Sequence, residues 1–123
     1  MVNPESPDRL LVATAGEALM DLITRPDGLL GPCEGGAVYN LTRALGLQGV
    51  GTVYLNPLSR DGFGRGLADR IHAAGVQLAQ AAPCLEPTSL AVVGLDAQGK
   101  ARYSFYREGV ADRRVSAAQM IED

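Results

Sequence analysis

The sequence predicts an α/β fold with an antiparallel hairpin appended, and three observations carry that reading. Short, nearly continuous apolar runs at residues 10–15 and 50–55 look like strands buried on both faces. Segments with apolar residues at helical spacing follow each of them. Residues 89–95 and 101–107 then flank Asp96-Ala97-Gln98-Gly99-Lys100, the pattern of a hairpin with Gly99 at its turn. Strand, helix, strand, helix, strand is the order of a parallel sheet with right-handed crossovers. The hairpin is where that grammar changes.

Residues 1–9 carry two prolines and mixed charge and read as a loose lead-in. After the first strand and Gly16-Glu17, Ala18-Leu19-Met20-Asp21-Leu22-Ile23 is again strand-like. Residues 25–34 hold two prolines and two glycines and read as a loop. Gly35-Gly36 introduces a helix in which Val38, Leu41, Thr42 and Leu45 share an apolar-leaning face, and Gly46, Gly49 and Gly51 end it. Pro57 stops the strand at 50–55. Asp61 is placed to cap a second helix, with Phe63, Leu67, Ile71 and Ala74 as its buried stripe and Arg65, Asp69, Arg70 and His72 facing away. Gly75 closes it, and Val76-Gln77-Leu78-Ala79 suits a short strand. Alternation in the second hairpin strand puts Tyr103, Phe105 and Arg107 on one face and Arg102, Ser104 and Tyr106 on the other. Ser116-Ala117-Ala118-Gln119 is a capping box announcing a further helix.

A chain of 123 residues, 46% hydrophobic and 20% charged, is an ordinary globular composition for one domain with a real core. A net charge of −3 without any Lys/Arg cluster argues against nucleic acid. Neither a membrane-length apolar run nor a charged-then-apolar leader is present, so a soluble, cytoplasmic protein with no membrane partner is expected. Cys33 and Cys84 lie far apart, without metal or redox spacing, and read as two reduced thiols. His72, the sole histidine, falls on a solvated helix position with no partner for nucleophilic catalysis. Metal-ligand spacing is absent.

The candidate site centres on Gly35, Gly36 and Asn40. A glycine pair lets backbone approach a ligand closely, and free N–H groups at a helix start beside an Asn side chain suit a hydroxylated or anionic group. A turn that merely feeds a core helix would look the same. Asp21, a carboxylate among apolar residues, either faces a cleft or points outward at a strand end. Arg107 either reaches a ligand or is a solvated surface cation. Glu17 and Asp61 are further carboxylates suited to hydroxyl donors. Gly62-Phe63-Gly64-Arg65-Gly66 lacks the spacing and the Lys-Ser/Thr of a phosphate loop, so a helix start is the better reading.

Taken together, Gly16-Glu17-Ala18-Leu19-Met20-Asp21, Gly35-Gly36-Ala37-Val38-Tyr39-Asn40-Leu41-Thr42, Gly49 and Ser59-Arg60-Asp61-Gly62-Phe63-Gly64 resemble the ribokinase-like (PfkB) family of carbohydrate kinases. Residues 88–93 and 105–112 look like its fructokinase and 2-keto-3-deoxygluconate kinase branch. The resemblance implies the N-terminal part of a three-layer α/β/α fold whose hairpin is a β lid. It implies ATP-dependent phosphoryl transfer to a sugar hydroxyl, of a ketose or a keto-acid sugar. In that family the residues matching Asp21, Gly35, Gly36 and Asn40 hold the sugar, and the position of Arg107 can approach a keto-acid substrate. Paired lids imply a homodimer. Val38 and Tyr39 replace the small residues or proline usual there, so that Tyr39 is expected to narrow or reshape the pocket, and Ser59 replaces a glycine. The family's Gly-Ala-Gly-Asp motif, with its catalytic aspartate, and its Asn-x-x-Glu motif, tied to Mg²⁺ and ATP, match nothing in these residues. The expectation is therefore a substrate-binding and lid portion over 1–123, without the nucleotide-binding half and without activity of its own. The alternative is a stand-alone, non-catalytic module that binds a ligand or dimerises through its hairpin.

Overall fold

The computed structural model describes residues 10–122; the lead-in at 1–9 lies outside the described residues. Among the described residues, seven strands form two sheets. The parallel sheet has the order β1-β4-β5, from β1 (Leu11–Thr14), β4 (Gly51–Tyr54) and β5 (Gln77–Leu78). Helices α1 (Ala37–Leu47) and α2 (Gly62–Ala73) are its crossovers and pack against each other. Tyr39 from α1, Tyr54 from β4 and Leu67 and Ile71 from α2 are fully buried between them. Close packing is helped at Gly46, where an added Cβ would stand 2.5 Å from the Ala74 carbonyl oxygen.

The second sheet has the order β3-β2-β6-β7, from β2 (Leu19–Thr24), β3 (Leu30–Gly35), β6 (Ser89–Leu95) and β7 (Ala101–Tyr106). Its centre is parallel, with Asp21 beside Ala91, and both flanks are antiparallel. Residues opposite one another share a face. Cys33, Asp21, Ala91 and Phe105 therefore lie on one face, and Met20, Leu90 and Tyr106 on the other. Met20 and Leu90 join the main core, which turns the Asp21 face away from it.

The segment at 25–34, expected as a loop, is a hairpin turn followed by β3. Asp27 accepts from the Leu29 N–H, Gly28 takes φ 83°, and Gly28 donates to the Arg25 carbonyl, which closes a tight turn. Pro32 is tolerated because β3 is an edge strand. Helix α1 is also rotated from its expected face. Tyr39 and Thr42 are buried while Leu41 is 54% exposed, because the tyrosine ring fills the core beneath β4. In α2 the stripe of Leu67, Ile71 and Ala74 is buried as expected, but Phe63 is 38% exposed and Gly64 takes the buried position. His72 is exposed. A single 3₁₀ turn at Ala111–Arg113, unmarked in the sequence, precedes α3 (Ala117–Glu122). The Ser116–Gln119 capping box closes reciprocally, at 2.9 and 3.2 Å.

Candidate functional site

Asp21, Gly35 and Gly36 come together where β2, β3 and α1 meet. β2 and β3 place Leu19 opposite Gly35 and Asp21 opposite Cys33. The Asp21 carboxylate folds back over Gly35, where an added methyl group would collide with Oδ2 and stand 2.9 Å from Leu19 Cδ1. Gly36 is the N-cap of α1 at φ 103°, a conformation that disfavours any side chain, and a Cβ there would stand 2.6 Å from the Glu17 carbonyl oxygen. Both glycines are thus required by close approach. Asn40, one turn into α1, is exposed. Partial burial, and then the charge of Glu17, hold the Asp21 carboxyl above its ordinary value of 3.8. An ionised carboxylate accepts hydrogen bonds only, so Asp21 suits hydroxyl donors.

Arg107, just beyond the end of β7, is not a free surface cation. Its guanidinium pairs with Glu17 Oε2 at 3.2 Å and with Asp112 Oδ2 at 2.9 Å, and its Nε donates to Ser89 Oγ at 3.4 Å. Glu17 reaches the site from the other side, where its Oε1 accepts from the Ala37 N–H at 3.3 Å, at the start of α1.

Asp112 is the residue that sequence reasoning did not single out. Its side chain is 1% exposed and accepts from Ser89 Oγ, the Ala18 N–H and Arg107. Asn56 donates to the Asp112 carbonyl at 2.7 Å and accepts from the Gly16 N–H at 2.8 Å. Tyr54 donates to the Gly16 carbonyl at 2.6 Å. This network ties the loop after β1 to β4, β6 and the end of the hairpin. Its partners lie up to 94 residues apart, so no local pattern could mark it.

Tyr39 does not narrow a pocket. Its ring is fully buried, its hydroxyl donates to the Leu67 carbonyl at 2.8 Å, and burial pushes its pKa up to about 12. Asp61 is likewise structural: it caps α2 through the Gly64 N–H at 2.8 Å and also accepts from the Thr88 N–H and hydroxyl. Burial opposes its ionisation, but those hydrogen bonds, with one involving Ser59, outweigh it and hold its pKa below 3.8. A cavity of about 350 Å³ opens beside Arg107, lined by Pro87, Thr88, Leu90, Tyr106 and Val110; Asp21, Gly35, Gly36 and Asn40 do not line it. Among the described residues, no three His, Cys, Asp or Glu side chains are grouped to hold a metal ion, and the glycines at 62–66 lie within the start of α2 beneath its own aspartate cap. These residues do not fit an ATP-phosphate or Mg²⁺ site.

The architecture is the ribokinase-like α/β fold, and the chain is similar in sequence to fructokinases. The chain is 34% identical to a fructokinase of Rhizobium leguminosarum bv. trifolii, over 89% of this chain and 35% of that protein. It superposes on the crystal structure of a fructokinase from Xylella fastidiosa with a TM-score of 0.80 at 31% identity, over 89% of this chain and 37% of that one. The Xylella enzyme has also been solved with bound ATP. A Vibrio cholerae O395 fructokinase gives a TM-score of 0.74 at 26% identity, over 84% of this chain and 36% of that one. The chain thus spans about a third of the length of these relatives. No protein-family model matches it.

Proposed function

We propose that these residues form the sugar-binding part of an ATP-dependent carbohydrate kinase, in which Asp21 and Asn40 hold hydroxyl groups of a ketose at the Gly35–Gly36 turn. The observation that carries this reading is the Asp21 carboxylate seated on Gly35 at the start of α1. That geometry leaves an acceptor and the backbone of a glycine turn side by side. The β3-β2-β6-β7 sheet acts as the lid over this turn, and two copies pair through it. The catalytic base and the ATP and Mg²⁺ ligands are contributed by residues outside this sequence, in the portion of the relatives' length that it does not span. The setting is the cytoplasm, which suits the free thiols of Cys33 and Cys84.

Calorimetric titration with D-fructose tests the sugar site. The chain is expected to bind, and Asp21→Asn and Asn40→Ala to weaken binding by roughly tenfold each, the loss of one hydrogen bond worth about 1.5 kcal/mol. Equal affinity in both variants would remove these residues from the site. With Mg-ATP and D-fructose the chain is expected to form no sugar phosphate, whereas steady turnover would place the catalytic machinery within it.

A further inference from the structure

Arg65, Asp69 and His72 recur at i, i+4 and i+7 along α2 and share the side of it that turns away from Leu67 and Ile71 in the core. All three line a cavity of about 240 Å³ between α2 and the segment that follows β5. That segment is an arch fixed at both feet. The Ala79 N–H donates to the Tyr54 carbonyl at 3.0 Å, and the Cys84 N–H donates to the Leu58 carbonyl at 2.9 Å. Ala81 and Pro83 on the arch form one wall of the cavity. Its floor is apolar: Leu58 is buried, and Ala68 and Leu78 pack against the main core. Arg65 and Asp69 stand one turn apart and are both exposed, yet among the described residues neither enters an ion pair. Asp21, Gly35, Gly36 and Asn40 do not line this cavity, which is separate from the sugar turn.

We propose that this cavity binds a small zwitterionic amino acid with an aliphatic side chain. Its carboxylate sits on Arg65, its ammonium on Asp69 and its side chain on the floor of Leu58, Ala68 and Leu78. An anion alone would be attracted by Arg65 and repelled by Asp69, and a cation alone the reverse. A molecule that carries both signs side by side is favoured by both. Four residues along an α-helix rise about 6 Å, a span that one amino-acid head group bridges with a hydrogen bond at each end. The cavity is smaller than the roughly 300–1,000 Å³ of sites for drug-sized ligands, which restricts the occupant to a few heavy atoms beyond that head group. Exposed ionic contacts contribute little singly. Binding therefore needs the two charges and the apolar floor together, since the floor removes the aliphatic side chain from water.

L-leucine is titrated into the 123-residue chain beside two cut-down probes, with NMR shifts read at the Leu78 and Ala81 amides. One probe, 4-methylpentanoate, lacks the ammonium; the other, 3-methylbutylamine, lacks the carboxylate. Saturable binding of L-leucine is expected in the millimolar range, with each cut-down probe weaker by roughly tenfold. Arg65→Gln is expected to weaken L-leucine by roughly tenfold without weakening 3-methylbutylamine, and Asp69→Asn to weaken it as much without weakening 4-methylpentanoate. The unliganded spectra establish that both variants are folded. An absence of saturable shifts with L-leucine, equal affinity for all three probes, or L-leucine affinity unchanged in either variant would overturn the proposal.

Discussion

At the scale of single residues, Asp21 and Asp61 show two carboxylates put to opposite uses. Asp61 is ionised more readily in the folded chain than its ordinary value of 3.8, so its contribution to stability is present above that value and fades as pH falls through the lowered one. Asp61→Ala is expected to cost about 1 kcal/mol near pH 7, as for a lost N-cap, with the difference from the parent shrinking below pH ~4 in urea melts. Asp21 has the reverse sign. Its pKa is raised in the fold, so the folded state loses stability as pH rises from 3.8 through the raised value. Asp21→Asn is therefore expected to be at least as stable as the parent at pH 7, while losing sugar affinity. A large loss of stability at neutral pH would mean that the carboxylate is structural. Asp21 was legible as a carboxylate among apolar residues, but its direction was not, because that depends on Gly35 lying across the β2–β3 ladder.

Elements were legible where their signals are local. Asp61 starting α2, the Ser116–Gln119 box starting α3 and the β6–β7 hairpin all stand where the sequence expects them. Strand β3 was hidden because two prolines and two glycines between residues 25 and 34 masked a tight Asp27–Gly28 turn. The face of α1 was hidden for another reason: Tyr39 is drawn into the core by the Leu67 carbonyl, which no helical periodicity reveals. Tyr39→Phe leaves that bond unmade and is expected to cost about 1 kcal/mol in denaturant melts without affecting sugar affinity. A change in fructose affinity would return the ring to the binding pocket.

For the whole molecule, the distribution of apolar surface is the informative feature. The outer part of the second sheet exposes Ile23, Tyr103 and Phe105 on the Asp21 face, with the two rings stacked at 6.0 Å. At the edge of the parallel sheet, Leu11 is 62% exposed. Exposed aromatic surface beside open strands favours association. Sedimentation is expected to show concentration-dependent self-association that the double substitution Tyr103→Ser, Phe105→Ser reduces at least about tenfold in affinity, the loss of two aromatic contacts each worth about 1 kcal/mol. A monomer throughout would count against pairing through the lid. The order of elements and the family resemblance were legible at this scale, whereas the Asp112 network was not, since it joins loops distant in sequence.

The sugar-binding turn is tested most directly by an amide-resolved NMR titration of the chain with D-fructose. Saturable shifts are expected at Gly35, Gly36, Ala37 and Asn40, and the same titration of Asp21→Asn should need roughly tenfold more sugar to reach them. Shifts confined to the cavity at Pro87, Leu90 and Tyr106, or none anywhere, would contradict a sugar site at Asp21.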